Sequence, residues 1–205
     1  MQGYILNVNR VKDEDLIVTI ISSQNLDTLY RFYGARHSVI NLGFKVDYER
    51  ETMSKSSISR LRDVIHLGFP WIGDFKHLKL WQEFIRLFYR HLKDIENPDS
   101  FYFELIDKAS IQWNKQNPKR VAIESYIRLL EFEGRRHSLE SCYLCSEPIH
   151  EKITLIRAFL PTHPECSHYK AFSYKGVNEL LGSGSSLFLD DSEIERLWNT
   201  LCEGL

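Results

Sequence analysis

The sequence lacks the net positive charge that often accompanies nucleic-acid binding. Its 26 lysines and arginines are outnumbered by 28 aspartates and glutamates, which gives a formal net charge of −2 at pH 7. It also lacks an apolar run long enough to span a bilayer and a signal-peptide pattern. The cysteines number only four. We therefore expect a chain that works in the reducing cytoplasm, without a membrane partner.

Catalytic motifs are also scarce. The segment Gly182–Ser186 (GSGSS) has the composition of a phosphate-binding loop, but no lysine follows it and no predicted strand precedes it. We therefore predict a turn there. Glu131 and Glu133 lie two positions apart on a predicted helix and so face different directions. No nucleophile, base and orienting group can be assembled from the remaining residues, so the sequence indicates no enzyme.

The charges that are present are distributed unevenly. Overall the chain has 205 residues, 43% hydrophobic and 26% charged, which is typical of one large or two small globular domains. Between Thr28 and Arg62 there are seven basic residues, Lys55 among them, and three acidic residues; between Glu179 and Leu205 there are six acidic residues and only Arg196 is basic. This asymmetry places a candidate anion-binding surface near the N-terminus.

The first 72 residues are predicted to form an all-β domain. Short β-branched and aromatic runs bounded by turn residues predict five strands. These are Gly3–Val8, Leu16–Ile21, Thr28–Tyr33, Phe44–Tyr48 and Ile58–Leu67. Five strands within about 70 residues favour a closed barrel of the oligonucleotide-binding type, the OB-fold.

From residue 73 to residue 205 the pattern changes to a helical one. Apolar residues three and four apart predict a helix through Leu78–Ile95 that is capped by Asp74. Further helices are predicted to open at Pro98-Asp99-Ser100, to run over Lys119–Glu133, and to start at a capping box formed by Ser192–Glu195. The predicted fold class is therefore α+β: a five-stranded OB-fold barrel followed by an α-helical domain with a zinc-ribbon-like insert at about residues 138–170.

The insert contains a candidate metal site. Cys142 and Cys145 form a C-x2-C pair, and His163 and Cys166 form an H-x2-C pair 17 residues later. Two such pairs close a tetrahedron of the kind that zinc takes, with no position left for water, so a structural zinc is predicted. His150 and His168 are alternative ligands, and a chance group of buried cysteines is the alternative to a metal.

Cations and aromatic residues alternate along the barrel segment, as a protein that binds single strands requires. The candidate DNA-binding residues are Arg31, Arg36, His37, Lys45, Arg50, Arg60 and Arg62, and the candidate stacking residues are Tyr30, Phe32, Tyr33 and Tyr48. Arg36 stands out because Gly34 breaks the strand before it. The alternative is that the aromatics belong to the core and the cations to an ordinary solvated face.

Three motifs, in their order and spacing, resemble the RecO recombination-mediator family over nearly the whole chain. They are Asp13–Ile20 (DEDLIVTI), Gly34-Ala35-Arg36, and Arg128–Gly134 (RLLEFEG) leading into Cys142-x2-Cys145. The resemblance implies a nucleoid-associated protein of DNA repair and recombination. Such a protein binds single- and double-stranded DNA, anneals complementary strands, and loads recombinase with a RecR-like partner and the single-strand-binding protein. The H-x2-C pair departs from the family's second C-x2-C, and some members lack the cysteines, so the resemblance does not make metal a requirement for function.

The resemblance also implies a receptor for the acidic C-terminal tail of the single-strand-binding protein. Lys119 and Arg120 start a predicted helix and are candidate clamps for that tail; the alternative is that both are ordinary surface residues. Two other functions stay open from the residues alone. One is a zinc-dependent nucleic-acid hydrolase or deaminase, although the H-x-E…P-C-x-x-C pattern is absent. The other is an interaction scaffold that does not bind DNA.

Overall fold

Five strands at the start of the chain close into a barrel. The computed structural model describes residues 1–53 and 57–205, so Lys55 lies outside the described residues. The strands are β1 (Gln2–Arg10), β2 (Leu16–Ser22), β3 (Leu26–Arg31), β4 (Lys45–Glu51) and β5 (Arg60–His66). Their order around the barrel is β1-β2-β3-β5-β4, with β4 pairing back to β1. The predicted five-stranded barrel is therefore confirmed, with strand ends that differ by a few residues from the predicted ones.

The barrel interior is filled by the β-branched residues that predicted the strands. All neighbouring strands are antiparallel except β3 and β5, which pair in parallel at Tyr30 and Arg60. Side chains from every strand meet in one core, whose members are Ile5, Leu16, Val18, Ile20, Leu29, Ile40, Val46, Tyr48 and Leu61. Tyr48 is only 1% exposed, so this candidate for base stacking is a core residue instead.

Two helices follow the barrel and belong to the same compact unit. Helix α1 spans Phe75–Leu92, and the Asp74 carboxylate caps it by accepting hydrogen bonds from backbone N–H groups at 2.8 and 3.2 Å. Helix α2 spans Ser100–Gln112. Trp81 and Trp113 are fully buried with ring centroids 4.9 Å apart, as the apolar stripe predicted. The predicted cap and both helices are thus confirmed, but α1 ends at Leu92 and leaves Ile95 outside the helix and exposed.

The chain divides into two compact units, Met1–Asn114 and Lys115–Leu205. The barrel shares the first unit with α1 and α2, because the N-terminal strand β1 packs against α1. The predicted boundary between residues 72 and 73 follows the change from strands to helices. As a division into domains it stays a prediction.

The second unit combines helices with a small hairpin. Its elements are α3 (Pro118–Phe132), β6 (Thr154–Ile156), β7 (Leu160–Thr162), α4 (Pro164–Ser167), α5 (Tyr174–Ser183) and α6 (Asp191–Cys202). Helix α3 packs against α6. The predicted α+β fold class, with a helical region and a Cys/His insert after the barrel, is therefore confirmed. The hairpin and α5 were not predicted.

The start of α6 corrects one detail of the prediction. The capping box is formed by Asp190 and Glu193, two residues before the predicted start at Ser192. The Asp190 carboxylate accepts from the Glu193 N–H at 2.8 Å, and the Glu193 carboxylate accepts from the Asp190 N–H at 2.9 Å. A carboxylate caps as well as a hydroxyl does, so the earlier acidic residue takes the position. The segment Gly182–Ser186 forms the end of α5 and its turn, with Gly184 in the left-handed region at φ 77. Across the described ranges, no helix combines the length and apolarity needed to cross a bilayer.

Candidate functional site

The four predicted metal ligands meet in the second unit. Their ligand atoms, from Cys142, Cys145, His163 and Cys166, all lie within 4.8 Å of one another. The first two belong to a turn closed by the bridge between Ser141 and Pro148. The other two follow the β6–β7 hairpin, at the first turn of α4. The sequence spacing thus brings two separate turns to one point, and the cluster can bind a metal such as zinc.

The distances from the histidine nitrogen to two of the sulfurs fit a tetrahedral ion. A zinc bound by sulfur at about 2.3 Å and by nitrogen at about 2.0 Å has ligand atoms roughly 3.5–3.8 Å apart. His163 Nδ1 lies 3.4 Å from Cys145 Sγ and 3.8 Å from Cys166 Sγ. With four protein ligands the ion has no open position, so the site suits a structural metal.

The histidine is held in the orientation that a ligand needs. His163 Nε2 lies 3.0 Å from the Pro148 carbonyl oxygen, to which it can donate a hydrogen bond. This bond leaves Nδ1, the atom facing the sulfurs, free to bind a metal. Metal-bound histidines commonly have such an outer partner, which fixes the tautomer and ring orientation.

The first turn also favours a thiolate at Cys142. The side chain is only 1% exposed, and burial by itself raises the pKa of its thiol. Backbone N–H groups of His163, Cys145 and Leu144 outweigh burial and lower the pKa of Cys142 to about 6. The pKa of Cys166 changes in the opposite direction. Its hydrogen bond with Cys145 and the negative charge of the neighbouring thiols raise the pKa of its thiol to about 11. The turn thus favours the charged form of Cys142, whereas Cys166 needs a cation nearby to lose its proton.

The alternative histidines take no part in the cluster. Within residues 1–53 and 57–205, no second group of three or more His, Cys, Asp or Glu side chains converges in this way, and neither His150 nor His168 belongs to the group found. Ser146, in the position where glycine is common, adopts φ 65. Its N–H donates to the Cys142 carbonyl at 2.8 Å, which closes the turn without glycine.

The barrel carries a groove between β3 and β5. The groove measures about 240 Å³, and Tyr30, Arg31, Phe32, Arg60 and Arg62 are among its lining residues. It forms there because β3 ends where β5 begins, at the parallel pair Tyr30 and Arg60. Three of the seven predicted DNA-binding residues thus share one surface, which we call the β3–β5 groove.

An aromatic pair lies among the cations of the β3–β5 groove. Phe32 is 46% exposed, and its ring centroid is 4.9 Å from that of Tyr30. The Arg60 guanidinium lies 4.7 Å from the Phe32 ring centroid, which places a cation beside an exposed ring. Arg31 donates to the Leu61 carbonyl at 2.9 Å, while its buried Nε makes no hydrogen bond to any described residue.

A carboxylate competes for the two outer cations of the groove. Glu51 Oε2 lies 3.5 Å from Arg62 NH1 and 4.0 Å from Arg60 NH1. Sequence reasoning missed this residue, because the pairing of Glu51 with Arg60 depends on the register between β4 and β5. All three side chains are substantially exposed, so the ion pairs are weak and a phosphate can replace the carboxylate.

Arg36 and His37 lie in a separate turn after β3. Gly34–Arg36 form one turn of 3₁₀ helix, which follows Tyr33 in the left-handed region at φ 51. Arg36 is exposed, forms an ion pair with Glu14, and lies 5.0 Å from the Tyr33 ring centroid. His37 is exposed as well. The turn therefore presents two basic side chains and one exposed ring, as the Gly34 break suggested.

Lys45 and Arg50 are engaged elsewhere. Lys45 begins β4, roughly 20 Å along the strand from Glu51 at about 3.3 Å per residue. It forms an ion pair with Asp107 at 2.6 Å. Arg50 pairs at 2.9 Å with Asp27, whose side chain is only 8% exposed. Their charges are thus largely neutralised inside the first unit, and the structure does not bring Lys45 to the β3–β5 groove.

Lys119 and Arg120, the candidate binding residues for an acidic tail, contact α6 and the loop before it. Lys119 forms an ion pair with Glu195. Arg120 donates to the carbonyl oxygens of Ser186 and Leu189 at 2.6 and 2.8 Å, and to Asp191 at 3.0 Å. Each side chain is only 19% exposed. Both cations are therefore occupied by the chain itself, and a peptide would have to displace those contacts.

Comparison with known proteins identifies the barrel segment. Residues 1–72, out of 205, match the family model described as RecO N terminal. No curated protein matches the chain. The resemblance expected from the sequence motifs is thus confirmed for the barrel, the segment that carries the β3–β5 groove.

Proposed function

We propose that this chain is a non-enzymatic recombination mediator that binds DNA and anneals complementary strands in repair. The observation that carries the proposal is the β3–β5 groove, because it combines three arginines, the exposed ring of Phe32 and the half-buried ring of Tyr30 within a barrel that matches the RecO N-terminal family model. The role of that family supports mediation over catalysis. On this basis the partners are single- and double-stranded DNA, a RecR-like protein and the single-strand-binding protein.

The groove has the composition that a single-strand site needs. Arginines neutralise phosphates and release condensed counterions, which makes binding independent of sequence and dependent on salt. An exposed ring such as Phe32 offers a face on which a base stacks, worth about 1–3 kcal/mol per base. Arg60 beside Phe32 supports both interactions at one place. Arg36 and His37 extend the candidate path along the turn after β3.

Zinc has a structural role in this proposal. The ion would be held by Cys142, Cys145, His163 and Cys166, and it would fix the two turns that start and end the insert. A hydrolase or deaminase needs an open coordination position for water, which four protein ligands do not leave. The cluster therefore supports a role in stability and not in chemistry.

Equilibrium binding over a salt series tests the proposal. A labelled single strand is titrated with wild type and with Arg60→Ala/Arg62→Ala at several salt concentrations. Each lost phosphate contact lowers the slope of log K against log salt by about 0.7 for single strands, so the double variant should lose about 1.4.

The matched control is Lys108→Ala/Arg128→Ala, which removes the same charge from exposed helical positions outside the groove. Its slope should equal that of wild type. An equal loss in the control would show that net charge alone matters, and an unchanged slope in a folded Arg60→Ala/Arg62→Ala variant would remove the groove from the binding site.

A further inference from the structure

A second groove with free cations lies elsewhere in the first unit. It measures about 390 Å³ and runs between β1, the loop before β4, and α1. Asn7, Asn41, Arg86, Tyr89 and Arg90 are among its lining residues. We call it the α1 groove. No part of the sequence reasoning singled out its arginines, because they fall on the polar face of an ordinary amphipathic helix.

The walls of the α1 groove are held in place. Trp81 Nε1 donates to the Gly43 carbonyl oxygen at 2.8 Å, and Gln82 Nε2 donates to the Leu42 carbonyl oxygen at 3.3 Å. Gly43 has φ 82, and a Cβ there would lie 2.7 Å from the Trp81 ring. The Gly43 N–H also donates to the Ile5 carbonyl at 2.8 Å. The loop is thus fixed to both α1 and β1, and the groove is a preformed concavity.

The arginines of the α1 groove are available to a ligand. Arg86 and Arg90 are both exposed and lie one helical turn apart, about 6 Å along the axis. Neither side chain makes an ion pair or a hydrogen bond with any residue that the structure describes. The cations of the β3–β5 groove differ in this respect, since Arg60 and Arg62 both form ion pairs with Glu51. No carboxylate is among the lining residues found for the α1 groove.

The other lining residues suit a nucleic-acid strand. Tyr89 is half-buried and adds part of an aromatic ring to the lining of the groove. Asn7 and Asn41 offer amide groups that can donate to phosphate oxygens or accept from bases. Cations spaced along a groove with an aromatic surface are the combination found in sequence-independent single-strand sites.

The two grooves lie on opposite sides of the barrel. In the ring β1-β2-β3-β5-β4, strand β1 neighbours β2 and β4, so β3 and β5 form the opposite side. The α1 groove is built on β1 and the β3–β5 groove on the other side. A nucleic-acid strand bound in the β3–β5 groove therefore leaves the α1 groove open.

We propose that the α1 groove is a second binding site for a single-stranded nucleic-acid backbone, with Arg86 and Arg90 as its phosphate contacts. One chain then holds two strands at once, on opposite sides of its barrel. The identity of the ligand rests on the proposed function, whereas the existence of a polyanion site rests on the two free arginines. Holding two strands on one chain brings them together without a second copy of the protein.

The number of strands bound per chain tests this inference directly. Oligothymidylate of about 12 nucleotides, within the range that one such barrel covers, is added in excess at low salt. Native mass spectrometry then counts strands on each protein. We expect two strands per chain for wild type and for Lys108→Ala/Arg128→Ala. We expect one for Arg86→Ala/Arg90→Ala and one for Arg60→Ala/Arg62→Ala, because each variant keeps the other groove.

The outcomes separate this inference from the proposed function. One strand per chain in wild type, or two in the Arg86→Ala/Arg90→Ala variant, would overturn the second site and leave the first intact. A folded wild-type protein that binds no strand would overturn both. Alanine has the highest helix propensity, so the substitutions on α1 should leave the helix folded, which circular dichroism checks.

Discussion

Glu51 offers the most specific test of the β3–β5 groove, because its removal should strengthen DNA binding. Its carboxylate lies 3.5 and 4.0 Å from the nearest nitrogens of Arg62 and Arg60. A phosphate that enters the groove has to replace this carboxylate. Glu51→Gln removes the competing charge and keeps the size of the side chain, so both guanidiniums become free for phosphate.

The expected gain follows from the strength of exposed ion pairs. Such pairs contribute about 0.2–1 kcal/mol each, and the Glu51 side chain is 48% exposed. If binding no longer has to break about 0.5–1 kcal/mol of pairing in total, affinity rises about 2- to 5-fold at low salt. The gain should shrink as salt increases, because salt screens exposed charges.

Fluorescence anisotropy with a labelled single strand measures the effect. Glu104→Gln is the matched control, because it removes a carboxylate that pairs with Lys108 at 3.7 Å on α2, away from the groove. The control should bind as wild type does. Equal or weaker binding by Glu51→Gln, in a variant with an unchanged melting temperature, would refute the assignment of phosphate to Arg60 and Arg62.

Three further predictions concern the turn, the metal cluster and the second unit. Arg36→Ala should lower the single-strand salt slope by about 0.7 without abolishing binding; an unchanged slope would show that DNA does not reach the Gly34–Arg36 turn. Elemental analysis should find one zinc per chain, and Cys142→Ser should lower the melting temperature more than it lowers DNA affinity. A metal-free preparation with the same melting temperature as the zinc-loaded protein would contradict the structural role of the cluster. Arg120→Ala should destabilise the protein by about 2–4 kcal/mol in chemical denaturation, because it leaves the carbonyls of Ser186 and Leu189 without their donor. Arg120→Lys should not restore this stability, since an ammonium cannot reproduce the two-pronged geometry; full stability in either variant would show that the loop has other support.

Local patterns in the sequence were enough to predict much of the fold. The β-branched residues of Leu16–Ile21, bounded by turn residues, predicted a strand that is almost wholly buried as β2. Asp74 predicted the cap of α1, because a carboxylate just before an apolar stripe is a local signal. The four ligands of the metal cluster were likewise predictable, since C-x2-C and H-x2-C turns each fix two ligands without reference to the rest of the chain.

Features that depend on pairing across the chain were not predictable. The ion pairs of Lys45 with Asp107 and of Arg50 with Asp27 engage two candidate DNA contacts, and no sequence spacing indicates these pairs. Tyr48 has an aromatic ring that could stack on a base, but closure of the barrel places its side chain in the core. The strands β6 and β7 are three residues each, too short to produce a periodic signal.

Strand annealing is the activity that a recombination mediator of this kind should show in solution. Two complementary single strands, labelled with a donor and an acceptor dye, are mixed with and without the protein at low salt. We expect wild type to accelerate pairing, and Arg60→Ala/Arg62→Ala to lose much of that acceleration while Lys108→Ala/Arg128→Ala retains it. A folded, metal-loaded wild-type protein that binds the single strands but leaves the annealing rate at its protein-free value would contradict the proposed function.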